Sequence, residues 1–330
     1  MKRTPVKLSS VIPEKNVKTL AVWKDFILTG NHYLKLWNMN GSVIASSNRQ
    51  EHSISSLTVW KDKVVTGSGG SISYWKIICS QDDIQLVRTY FRDFRINVQS
   101  ITVWDDKLYA TGVTQTPVIK SYNKKGRHIQ SYHNLHGDTV NHMIVFRGLL
   151  WTASSDTTVC AWKKNWLGYK LKCVKRFTSH SRPVMKLASW GQDRVVSAAA
   201  DNSVRVWNIN GQCLYIFETN LALSMMEWTE GRLACVTTSI STTGSPHFIL
   251  WNKDGTQFFS QEAPHFPMAL LAVDNVLWET SGAGIHVWET RNWKIERILW
   301  LGWKKGNPAF CSLALLPQDV FLRILQYVTF

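Results

Sequence analysis

The sequence predicts an all-β protein: a seven-bladed β-propeller of four-stranded blades, followed by one short C-terminal helix. Three observations predict it. Tryptophan occurs 17 times, and such a surplus of a large flat side chain means that one packing role is being repeated. A strand–turn–strand phrase recurs along the chain, and strands ending in an aromatic residue follow each copy at the period of about 40–45 residues that marks propeller repeats.

The first phrase is clearest at Leu20–Trp23 before Lys24-Asp25, at Leu57–Trp60 before Lys61-Asp62, and at Ile101–Trp104 before Asp105-Asp106. Weaker copies run through Phe146-Arg147-Gly148, Trp190-Gly191, Trp228 to Gly231, and Val273-Asp274-Asn275. Asp, Gly and Asn at the break suit the tight turns that return one strand beside another. The second phrase is an alternating strand ending at Trp37, Trp75, Tyr122, Trp162, Trp207, Trp251 and Trp288, spaced 38, 47, 40, 45, 44 and 37 residues apart. A turn and a fourth strand then follow, as in Asn208–Gly211 before Gln212–Phe217. Two segments compete for the fourth strand of blade 7: the local Lys294–Trp300, which the period favours, and the distant Val6–Ile12.

Blade 4 carries Leu135-His136-Gly137, Thr152, Asp156 and Trp162, and blade 5 carries Ser179-His180, Ser197, Asp201 and Trp207. Both resemble WD repeats. The resemblance implies two structural tetrads, His136–Thr152–Asp156–Trp162 and His180–Ser197–Asp201–Trp207, in which buried polar groups satisfy one another. Blades 1, 2 and 7 lack the turn Asp, blade 3 ends in Tyr122, and blade 6 has a longer insert from Thr237 to His247. The domain boundary falls near residue 300, with the propeller over 1–300 and a linker and helix over 301–330.

In the tail, Leu316 to Val328 reads as a helix. Pro317 suits the first helical position and Asp319 the positive N-terminal end. Val320, Phe321, Ile324, Leu325 and Val328 form one apolar stripe, so the helix needs covering, and it is too short to be stable alone. The string resembles the opening helix of an F-box, whose Leu-Pro start and apolar positions match Leu316, Pro317, Val320, Ile324, Leu325 and Val328. That resemblance implies docking onto an adaptor of cullin-based ubiquitin ligases, with the propeller as substrate receptor. Two other readings stand beside it: a helix packed on the propeller, and the cytokine-suppressor box, whose second Pro is Asp319 here.

Formal net charge is +15, from 38 Lys plus Arg against 23 Asp plus Glu. Such a field favours acidic partners: an acidic or phosphorylated protein, with nucleic acid or an anionic surface as the alternative. The stretch between Asp156 and Asp193 has no acid but holds Lys163, Lys164, Lys170, Lys172, Lys175, Arg176, Arg182 and Lys186. Arg49, Arg92, Arg95 and Arg182 are expected in equivalent loops on the tetrad-histidine face, where guanidinium forks match phosphate or carboxylate. The six cysteines form no C-x-x-C pair, the pattern of thiols in a reducing compartment. No signal peptide is visible behind Met1–Pro5, and no stretch approaches the roughly 18 apolar residues of a membrane helix. An intracellular, cytoplasmic or nuclear protein is expected. His133 and His136 have no carboxylate or thiol at ligand spacing, and no nucleophile, base and orienting acid recur together. No enzyme activity, metal or cofactor is expected.

Overall fold

The computed structural model describes residues 6–290 except 81–82, 94–96, 114–116, 166–169, 229–230, 239–244, 264–266 and 275. The chain divides into a body, Leu8–Trp288, and a second unit made of Met1–Lys7 and Glu289–Phe330. Of that second unit only Val6, Lys7, Glu289 and Thr290 are described, as strand ends. The tail helix read at Leu316–Val328, the segment Lys294–Trp300 and the boundary near residue 300 therefore lie outside the described residues.

Among the described residues the body holds seven four-stranded sheets and no α-helix. No helix there is long and apolar enough to cross a membrane. Six sheets are simple meanders in chain order, each strand antiparallel to the next. Blade 5 is typical: Val184–Trp190, Arg194–Ala199, Ser203–Asn208 and Cys213–Glu218, from the centre outward. The inner strands of successive blades contact one another all the way round, and the inner strand of blade 7, Pro267–Val273, meets that of blade 1, Thr19–Trp23. Ring closure leaves only short outer edges unpaired.

The seventh sheet corrects the expected closure. Its outer strand is Val6–Ile12, which pairs with Ile285–Thr290. Ser9 donates its hydroxyl to the Val287 carbonyl at 3.0 Å. Closing with a distant strand locks blade 7 to the start of the ring, which a local fourth strand would leave unfastened. The period alone carries no information about this choice.

The core lies between blades. Trp207 of blade 5, for example, packs with Trp151, Val159 and Phe177 of blade 4, while Trp190 joins Trp251 and Leu233 across the boundary with blade 6. The alternation of each strand sends one set of side chains to each neighbouring blade, so the second and third strands of a blade are buried along nearly their whole length while the outer strand is mostly half-buried or exposed.

Tryptophan plays more than one role. Those ending third strands donate inside their own blade: Trp37 to Thr29 at 2.8 Å, Trp75 to Thr66 at 2.9 Å and Trp288 to Glu279 at 2.6 Å. Three of those ending inner strands reach the first turn of the next blade: Trp60 to Asp106, Trp104 to the Gly148 carbonyl and Trp190 to the Gly231 carbonyl.

Candidate functional site

Two regions of the ring gather polar groups: the face where outer strands return to the next inner strand, and the central channel below it. On that face the blade 4 residues come together. Asp156 accepts from His136 Nδ1 at 2.8 Å, His136 Nε2 accepts the Thr152 hydroxyl at 2.6 Å, and Trp162 Nε1 donates to the same Thr152 oxygen at 2.8 Å. The carboxylate fixes the imidazole proton on Nδ1 and so leaves Nε2 as an acceptor. In blade 5 the matching distances are 2.9 Å for His180–Asp201, 2.7 Å for His180–Ser197 and 2.8 Å for Trp207–Ser197.

Each chain has a further member that sequence reading missed. Thr158 donates its hydroxyl to Asp156 Oδ1 at 2.7 Å, and Ser203 does the same to Asp201 Oδ1 at 2.7 Å. Their signal is a hydroxyl two residues after the turn Asp. Burial pushes both carboxyls up, but it is outweighed. Hydrogen bonds from His136, Thr158 and the Gly137 N–H hold Asp156 well below the usual carboxylate range. Ser203, His180 and the Ser181 N–H act likewise on Asp201. His180 itself is pushed down by burial, with Asp201 opposing.

The other blades keep parts of this device. Thr29 and Thr66 hold the tryptophan N–H in blades 1 and 2, and buried Glu279 does so in blade 7. The register puts Ala110 at that position in blade 3 and Cys235 in blade 6.

Arg49 and Arg182 both lie exposed in loops from an outer strand to the next inner strand. Arg92 does not: it belongs to the outer strand Ile84–Asp93 of blade 2, opposite Ile72. The two outer strands of blade 2, Ser71–Cys79 and Ile84–Asp93, are long enough for pairing to continue to Asp93, so the expected loop starts later. Arg95 lies outside the described residues, as do the F-box-like positions Leu316, Pro317, Val320, Ile324, Leu325 and Val328. Beside Arg49 a cleft of about 550 Å³ is lined by Gln50, His52, Ser71 and Arg88, with Glu51 at its wall. Of the basic stretch after Asp156, Lys164 is engaged on the opposite face, 2.7 Å from Asp105 and 4.4 Å above the Trp104 ring.

The central channel has a volume of about 460 Å³. Six of the seven inner strands carry a bulge near their start, as between Val98 and Ser100, Val140 and His142, and Val184 and Lys186, whereas Thr19–Trp23 of blade 1 pairs in unbroken register. A bulge leaves a residue out of the ladder, and side chains at these bulges tie one blade to the next. Ser56 accepts the Ile101 N–H at 3.0 Å, Ser100 the Met143 N–H at 3.1 Å, His142 the Leu187 N–H at 3.3 Å, and Ser224 the Leu270 N–H at 3.1 Å. One residue earlier, Ser55 donates to the Val98 carbonyl at 2.6 Å and Asn141 to the Val184 carbonyl at 2.9 Å. This belt was not read from the sequence, where its signal is a polar doublet at the start of an inner strand: Ser55-Ser56, Gln99-Ser100, Asn141-His142.

Among the described residues no group of three or more His, Cys, Asp or Glu could hold a metal ion. His136 is committed to its tetrad, and the cysteines described, Cys79, Cys160, Cys173, Cys213 and Cys235, are free.

Seven closed blades, two of them carrying a His–hydroxyl–Asp–Trp chain, make a seven-bladed β-propeller with the WD40 fold. The structure is similar to the crystal structure of the WD40 beta propeller domain of Doa1, with a TM-score of 0.69 and 15% identity over 88% of this chain and 99% of that one. In all, 1321 chains of known structure match, so the likeness fixes the fold and leaves the partner open. No protein-family model matches the sequence.

Proposed function

We propose that the propeller is a non-catalytic platform for protein partners, and that it serves as substrate receptor of a cullin-based ubiquitin ligase. In this reading the tetrad-histidine face receives an acidic or phosphorylated segment, and Leu316–Val328 is the handle for the ligase adaptor. The observation that carries the platform reading is the pair Arg49 and Arg182, both exposed on the face where the chain passes between blades. Arginine on a rigid frame suits carboxylate and phosphate because its planar fork meets two oxygens at once. Net charge of +15 adds long-range attraction for such a segment. The F-box resemblance of Leu316, Pro317, Val320, Ile324, Leu325 and Val328 supports the handle.

Co-precipitation tests both halves separately. Wild type should capture the cullin adaptor, while a chain ending at Asn307 and the double variant Ile324→Ala, Leu325→Ala should not. Arg49→Ser with Arg182→Ser should keep the adaptor and lose acidic client proteins. Equal adaptor capture by wild type and the chain ending at Asn307, or no capture by either, overturns the ligase reading. Clients retained by the arginine variant overturn the placement of the rim. Loss of captured nucleic acid with a steep salt dependence would favour the basic-surface alternative.

A further inference from the structure

The belt of bulge side chains has a departure at blade 5. Ser56, Ser100, His142 and Ser224 each accept an N–H from the following blade. The register puts Lys186 at the same position, opposite Ala198, and its side chain lines the channel. An ammonium has no lone pair to accept with, so blade 5 gives up that tie to blade 6 and places a cation in the cavity instead. Lys18, at the start of the inner strand of blade 1, and Gln99, at the bulge of blade 3, line the same cavity from other sides.

The acids nearby are already engaged. The Glu14 carboxylate, four residues before Lys18, is taken by Lys35 at 2.6 Å and by Asn31 at 2.8 Å. Glu227, which also lines the channel, accepts the Gly191 N–H at 2.8 Å beyond the far end of the neighbouring inner strand. Burial pushes the Lys186 amine below its usual range, the signature of a confined charge whose environment does not compensate it.

We propose that the channel binds a small polyanion bearing two or more phosphate groups, held by Lys18, Gln99 and Lys186. The three donors come from blades 1, 3 and 5 and so reach the cavity from separate sides of the ring, an arrangement suited to a ligand with more than one phosphate. A cavity of about 460 Å³ falls within the roughly 300–1,000 Å³ of small-molecule sites. Its walls are the seven inner strands of the closed ring, which fix the backbone positions from which these donors reach the cavity. This site is separate from the arginine rim and does not depend on it.

Titration calorimetry with inorganic tripolyphosphate, and in parallel with inositol hexakisphosphate, at about 150 mM salt tests the proposal and separates inorganic from organic sources. The expected result is one ligand per chain, with affinity at least about tenfold weaker in Lys186→Ser and in Lys18→Ser. Lys172→Ser removes the same charge from an exposed outer-strand position and should bind as wild type does. Serine at 186 repeats what blades 2, 3 and 6 carry, so Lys186→Ser should melt no lower than wild type. If it fails to fold, exposed Lys18 carries the comparison alone. Absent binding, several ligands per chain, or equal weakening by Lys172→Ser overturns the site.

Discussion

His142 Nδ1 accepts the backbone N–H of Leu187 at 3.3 Å, so an imidazole of blade 4 stands where three other blades use a serine hydroxyl. The bond requires a lone pair on Nδ1, and therefore a neutral ring. Burial, and after it the charge of Lys186, push His142 down to about 3. The unfolded chain takes up this proton near pH 6.5, where the folded protein still refuses it.

Stability from His142 is thus complete above about pH 6.5 and is lost as pH falls toward 3. His142→Ser keeps an acceptor and removes the titration. The variant should match wild type at about pH 7.5 and exceed it by about 1–2 kcal/mol at about pH 4.5, with the channel's partial wetting keeping the gain modest. Urea melts at both pH values check this. A constant difference would show that the imidazole does not titrate with folding.

Glu279 runs the other way. It is 1% exposed, receives Trp288 Nε1 at 2.6 Å, and burial pushes its carboxyl up to about 7 against that hydrogen bond. The unfolded carboxyl ionises near pH 4.5, so the folded state pays for ionisation as pH rises from there to about 7 and in full above it. Glu279→Gln retains an acceptor for Trp288. It should stabilise the protein by on the order of 2–3 kcal/mol at about pH 8 and leave it unchanged below about pH 4. Thermal melts across that range would show the gap opening with pH; a pH-independent gap would refute the assignment.

Trp207 is 2% exposed, stacks on Phe177 at 4.8 Å and donates to Ser197. Trp207→Ala should cost about 3–5 kcal/mol, because it empties a core site and strands the Ser197–His180 pair. Trp207→Phe keeps most of the ring contact and loses the donor, so its cost should be nearer 1–2 kcal/mol. Chemical denaturation measures both, and a loss below about 1 kcal/mol for the alanine would place Trp207 outside the core.

What the sequence made legible follows from what each residue has to do. An aromatic residue at the end of the third strand must recur with the blade, so Trp37, Trp75, Tyr122, Trp162, Trp207, Trp251 and Trp288 announce the period directly. His136 and His180 stand out because a histidine, a hydroxyl, an aspartate and a tryptophan at matching offsets have one economical arrangement. Ser56, Ser100 and Ser224 were invisible for the opposite reason: a serine beside a bulge breaks strand alternation, and it then looks like loop. Glu279 was missed because a carboxylate replaces a hydroxyl there, a substitution that only burial makes meaningful. Arg92 was misplaced by the extra length of one hairpin. The choice between Val6–Ile12 and Lys294–Trp300 turned on a contact across nearly the whole chain, and local pattern is silent about such contacts.

That contact has a consequence for how the protein is made. Ser9 and Val287 are 278 residues apart in sequence, so Val6–Ile12 has no partner until the third strand of blade 7 has been synthesised. Six sheets can form from neighbouring segments during synthesis, each cheap in loop-closure entropy, whereas the seventh waits for the longest loop in the molecule. Until then the backbone of Val6–Ile12 must stay unpaired, and Leu8 and Val11 remain exposed even once it has paired. Ribosome-bound chains arrested before residue 285 should therefore be more readily clipped near this strand than released full-length protein.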